Sequence, residues 1–201
     1  MIRLLAALVV LQLTACATSL VPITAAEGKQ SDDQLLGRWL GRMDDETETI
    51  SIVKRNGELI VIGESPEGPT LGTEEMRAIV ARIEGQRYAS FTDTDPDTDQ
   101  YPRKYLLARY QFLDDDHVVV YGVDTDLLLE AVKRKQIAGA ELKDRHMSGV
   151  DLSADTEQLR DYVRTDGVRI FSVRIFELER LKKPRRKLLR LVRDVSEVDA
   201  E

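Results

Sequence analysis

From residue 35 onward, apolar and polar positions alternate in short runs separated by turn residues, the period-two pattern of strands with one buried face. Leu35 to Gly41 opens the series, followed by Thr49 to Lys54 and Glu58 to Gly63. Asn56-Gly57 between the last two predicts a tight hairpin, because both central residues of the favoured turn need positive φ. Met76 to Glu84 and Arg87 to Thr92 flank Gly85, and Lys104 to Leu113 and His117 to Val123 flank the turn Asp114-Asp115-Asp116. The period then changes. A helix is expected from about Leu127 to Ala138, capped by Asp124 or Asp126 and stopped by Gly139. Met147 to Leu152 reads as a short extended piece, and Ser153 as the cap of a second helix through about Val163 that buries Leu159, Tyr162 and Val163. Val168 to Leu181 reads as the longest strand, with Val168, Ile170, Ser172, Arg174 and Phe176 on one side. Pro184 ends it, and Leu188, Leu191, Val192 and Val195 recur at the spacing of an amphipathic helix. Seven to eight strands joined mostly by short turns predict a mainly β chain: a small antiparallel barrel with two or three helices, since closure hides the edges of a meander.

Ahead of this domain, Arg3 precedes an apolar run from Leu4 to Leu13, and Leu13-Thr14-Ala15-Cys16 follows. The run is short of the roughly 20 apolar residues a membrane-spanning helix needs, and its positive start and small-residue end are those of a secretory signal. Leu-Thr-Ala-Cys resembles the lipobox of bacterial lipoproteins. That resemblance implies cleavage before Cys16, attachment of three acyl chains there (palmitate among them), and anchorage to a membrane. With Ala17 rather than aspartate after the cysteine, it implies the outer membrane, on the periplasmic side. Cys16 is the sole cysteine, so no disulfide is available in an oxidising compartment. Ala17 to Ser31, with Pro22 and Gly28 and no apolar period, reads as a tether. The expected organisation is therefore a cleaved leader 1–15, a lipidated tether 16–33, a barrel-like domain 34–181, and a basic helix with an acidic end 182–201.

Gly37-Arg38-Trp39 at the opening of the first strand resembles the Gly-x-Trp signature of lipocalin and calycin barrels. There the tryptophan plugs one barrel end under an arginine from near the last strand, a part that Arg174 or Arg180 would take here. The resemblance also implies a binding module whose interior holds an apolar or amphipathic small molecule. From strand placement, Trp39, Tyr105, Tyr110 and Phe171 are the candidate ligand walls.

Charge narrows the partners. The chain carries 29 Lys and Arg against 36 Asp and Glu; without the leader and its Arg3 the balance is −8, which disfavours nucleic acid. Eight of the fourteen residues from Arg180 to Arg193 are basic and none is acidic. Lys182, Lys183, Arg185, Arg186, Lys187, Arg190 and Arg193 thus form a candidate contact for anionic headgroups, for the acidic body itself, or for an acidic envelope protein. Asp93, Asp95, Asp97 and Asp99 alternate like the opening of a calcium loop, but Thr98 and Lys104 stand where such a loop needs glycine and glutamate. His117 and His146 lack a ligand spacing, and no nucleophile elbow or phosphate loop is present. The sequence points to no enzyme, metal or cofactor. The alternative to a hollow binding barrel is a packed one that acts through protein partners or the membrane surface.

Overall fold

The computed structural model describes residues 15–24, 32–43, 46–64, 75–94, 104–143 and 148–182. In chain order the elements are β1 (Ala15–Ser19), a 3-10 turn (Asp33–Leu35), β2 (Gly37–Met43), β3 (Glu46–Arg55), β4 (Glu58–Glu64), β5 (Glu75–Ile83), β6 (Gln86–Asp93), β7 (Tyr105–Phe112), β8 (His117–Gly122), α1 (Thr125–Lys133), β9 (Gly139–Lys143), β10 (Ser148–Leu152), α2 (Thr156–Ile170) and β11 (Val173–Arg180). Strands β2 to β8 form an antiparallel meander, and β11 pairs with both β8 and β2, closing an eight-stranded barrel. The expected mainly β fold is the observed one.

The hairpins follow local chemistry. Asn56 and Gly57 have φ of 53° and 81°, and Glu84 and Gly85 have 49° and 75°, so both turns take the mirror-image form whose twist suits paired strands. Cross-strand register then assigns an inward row: Trp39 lies opposite Ile50, Leu59 opposite Ala78, Val80 opposite Ala89, Tyr110 opposite Val120, and Leu178 opposite Gly41. Trp39, Ile52, Leu59, Val80, Ala89, Tyr110, Val118 and Leu178 form this buried inner core.

A second core lies outside the barrel. β1 pairs antiparallel with the start of β7 and parallel with β10, and β9 completes this extension of the sheet. The extension and the two helices enclose Ile23, Leu128, Val150, Leu152, Leu159, Val163, Ile170 and Phe171 against Ala81, Ile83, Tyr88 and Leu107 of β5 to β7. Those three strands are therefore covered on both faces, which is why Ala78 to Ala81 and Leu107 to Tyr110 are buried without interruption.

The late chain departs from expectation. α1 ends at Lys133, and Lys135, not Gly139, takes the left-handed position (φ 60°). Gly139 instead opens β9, where an added Cβ would lie 2.9 Å from Asp151 O. The cap of α2 is Asp155, whose carboxylate accepts from Gln158 N at 2.9 Å, not Ser153. α2 also continues to Ile170 instead of stopping near Val163, because Leu159, Tyr162, Val163, Gly167 and Ile170 together line one buried helical face. β11 begins only at Val173, and an irregularity between Arg174 and Phe176 turns Phe176 inward although Arg174 faces out. The tether expectation changes as well. Ala17, Ser19, Ile23 and Thr24 are buried, and Ile23 N donates to Ser90 Oγ at 3.0 Å, so residues 17–24 belong to the fold, while 25–31 lie outside the described residues. The predicted C-terminal helix lies outside the described residues.

Helix α2 meets the barrel at Gly167, where an added Cβ would sit 2.6 Å from the hydroxyl of buried Tyr88. Alanine improves the intrinsic propensity of an ordinary helical glycine, but here it collides with a side chain that has no room to retreat. Gly167→Ala is expected to lower unfolding free energy in urea by about 1–3 kcal/mol, the usual cost of overpacking.

Candidate functional site

The two ends of the barrel differ. At one end the 3-10 turn is drawn across the opening by side chains of β2, β5, β6, β7 and β11. Trp39 is fully buried and its Nε1 donates to Leu35 O at 2.8 Å. The Arg180 guanidinium lies 4.1 Å from the Trp39 ring centroid and donates to Leu36 O at 2.8 Å, Gln34 O at 2.5 Å and Asp115 O at 3.1 Å. The Arg-over-Trp contact is made by Arg180; Arg174 faces outward and pairs with Glu177. The glycine of Gly37-Arg38-Trp39 has a physical reason: its φ is 138°, and a Cβ there would lie 2.9 Å from Arg180 Nη1.

Asp32 completes this end. Its carboxylate is 2% exposed, accepts from Tyr110 OH at 2.9 Å, and lies 3.4 Å from Arg87 Nε and 3.7 Å from Arg82 Nη2. Burial first, and the Asp32 charge second, push the Tyr110 phenol well above its usual range, so it donates as a neutral hydroxyl. Arg87 also covers the Phe112 ring at 4.6 Å. A buried charge held by two guanidiniums and a phenol is satisfied structure. Strand parity carries a signal for it, since Arg82 and Arg87 are cross-strand partners continuing the inward row Val80 and Ala89.

Toward the opposite end the inward row stays apolar but is only half-buried. Ile50, Val61, Phe91, Leu106, Val120 and Phe176 form a cup above the filled core. Its wall includes small inward positions. Ile50 Cδ1 lies 3.1 Å from where a Cβ on Gly41 would be, and Glu48 Oε1 fills the notch at Gly63 at 2.7 Å. The half-buried inward side chains here are thus apolar, with the Glu48 carboxylate among them. Residues 44–45, 65–74 and 95–103 lie outside the described residues.

The four candidate walls do not converge. Trp39 and Tyr110 are buried at the closed end, with their polar atoms already bonded. Tyr105 packs against the outer core, and Phe171 lies within it, its ring centroid 5.4 Å from that of Tyr88. None of the four lines the cup; the inward parity of Phe91, Val120 and Phe176, fixed by register, is what assigns it. Cys16 is in β1, in register with Gly149. Lys182 is exposed and 3.5 Å from Asp116, while Lys183, Arg185, Arg186, Lys187, Arg190 and Arg193 lie outside the described residues, as do Asp95, Asp97 and Asp99. Among the described residues no three His, Cys, Asp or Glu side chains converge. His117 Nδ1 is 2.9 Å from Asp114, which holds the imidazole above its ordinary value. No protein family, curated protein or solved structure matches this chain.

The contrast between the two arginines is measurable. Arg180→Lys removes the stacked guanidinium and carbonyl bonds and is expected to cost about 2–3 kcal/mol in denaturant unfolding, with a shift of Trp39 emission. Arg174→Lys disturbs only an exposed ion pair and is expected to stay within about 0.5 kcal/mol.

Proposed function

We propose that this chain is a lipid-anchored binding protein of the bacterial envelope, held through acylated Cys16 to the periplasmic face of the outer membrane, whose barrel cup takes one apolar or amphipathic small molecule. It acts by binding, not by catalysis. The observation that carries the reading is the inward row Ile50, Val61, Phe91, Leu106, Val120 and Phe176, left half-buried above a filled, arginine-latched base. Apolar side chains inside a closed barrel are costly to leave in contact with water, and a ligand that covers them recovers roughly 25 cal/mol for each Å² of apolar surface removed from solvent. The lipobox resemblance of Leu13-Thr14-Ala15-Cys16 supports the anchor.

The rival reading is a packed barrel that works through protein partners or the membrane surface, and the fully buried inner core around Trp39, Val118 and Leu178 favours it. The two part at Val120. In the wild-type protein a fluorescent apolar probe, N-phenyl-1-naphthylamine, is expected to bind with enhanced emission. Val120→Trp is expected to abolish that signal while changing unfolding free energy by less than about 1 kcal/mol. A wild-type protein that leaves the probe dark, with Val120→Trp destabilising by about 1–3 kcal/mol as overpacked cores do, would establish the packed barrel instead.

A further inference from the structure

The barrel closes on itself, but the sheet that grows out of it does not. β9 is bonded to β10 on one side, and among the described residues it is the sheet's one open edge. An open strand edge is a row of backbone donors and acceptors ready to pair with another chain, and proteins often blunt it with proline, a bulge or an overlying element. β9 shows none of these. Its five residues, Gly139-Ala140-Glu141-Leu142-Lys143, contain no proline and pair with β10 position for position. Ala140, Glu141 and Leu142 are all exposed although they alternate between the two faces, so the strand is open on both sides there.

The edge is also held in shape before anything joins it. Gly139 packs against Asp151 and Leu152 so closely that a Cβ would not fit, and Ser153 N and Ala154 N both donate to Ala138 O, at 3.0 and 3.2 Å. An edge shaped in advance loses little conformational freedom on pairing. It also presents a large apolar side chain to water, since Leu142 is 36% exposed.

The order of residues along the edge selects its partner. Two copies of one chain pair edge to edge, antiparallel, about a two-fold axis normal to the sheet, which keeps each face with its like; the axis therefore passes through a residue. Through Glu141 or Lys143 it would set like charges directly opposite each other, which is destabilising. Through Ala140 it would place Leu142 and Lys143 opposite residues that precede the strand. Through Leu142 it sets Leu142 against Leu142 of the second copy and, on either side, Glu141 against Lys143. Each charge of the strand then meets its opposite, and the exposed leucine is covered. We propose that β9 is a dimerisation edge at which two copies of this chain join about Leu142 into one continuous sheet.

The test is sedimentation equilibrium of the full chain from about 1 µM to about 1 mM, read together with charge swaps. Wild-type protein is expected to show a monomer–dimer equilibrium. Glu141→Lys and Lys143→Glu each set like charges opposite at both flanking pairs, and each is expected to weaken the dimer tenfold or more. The two substitutions combined restore opposite charges and are expected to return the dimer to within about threefold of wild type. In a Cys16→Ser background, Leu142→Cys places its two Cα atoms about 4.5–5.5 Å apart across the axis, within disulfide reach, and is expected to cross-link under mild oxidation; Ala140→Cys, farther from the axis on the same face, is not. A wild-type chain that stays monomeric throughout, a dimer indifferent to the single swaps, a combined swap that fails to recover, or equal cross-linking from positions 140 and 142 would each overturn the assignment.

Discussion

The contact on which this fold depends is the Arg180 guanidinium stacked on Trp39. It joins the last strand of the barrel to the first, across a separation in sequence that makes their pairing the most entropically costly step of closure. A flat, delocalised cation suits both demands of the position. It lies on the indole face, and its N–H groups point outward to carbonyls of the 3-10 turn and the β7–β8 turn that have no strand partner of their own. Gly37 is the concession the backbone makes to that cation, and Asp32, Arg87 and Tyr110 fasten the other side of the same turn. One end of the barrel is thereby a solid base.

A solid base and a second core change what the other end must do. Because β5, β6 and β7 are packed from inside by the barrel core and from outside by α1, α2 and β10, stability does not rest on filling the barrel to its rim. The half-buried inward side chains are the part of the apolar interior that lies beyond the latch and its filled core. The outer layer also brings Ala17 to Thr24 into the fold. Under the proposed anchor, acylation at Cys16 would fall within a paired strand and would hold the domain close to the bilayer instead of on a long leash.

Much of this architecture is legible in the residues. Alternation and the Asn56-Gly57 turn place all eight barrel strands, the last begun at Val168 instead of Val173, and the Gly-x-Trp resemblance implies a Trp-Arg latch without deciding between Arg174 and Arg180. The failures have physical causes. Val168 and Ile170 look like strand because they are β-branched, yet Ile170 completes the buried face of α2 begun by Leu159, and tertiary contact overrides propensity. β1 has the composition of a spacer because small residues suffice where a strand is sandwiched between β7 and β10. Tyr105 misled as a ligand wall because an aromatic residue on a strand does not say which face of the wall it occupies, and register puts it outside; Phe171 misled because it caps the end of α2 and is not part of β11.

The central claim is that the barrel carries a cargo in its cup, and native mass spectrometry on the protein released gently from its own envelope tests it most directly. The account predicts a stoichiometric non-covalent mass that is lost on denaturation and absent from Val120→Trp, on a chain whose covalent mass begins at an acylated Cys16. A bare monomer from wild-type protein, or an adduct that survives in Val120→Trp, would contradict it.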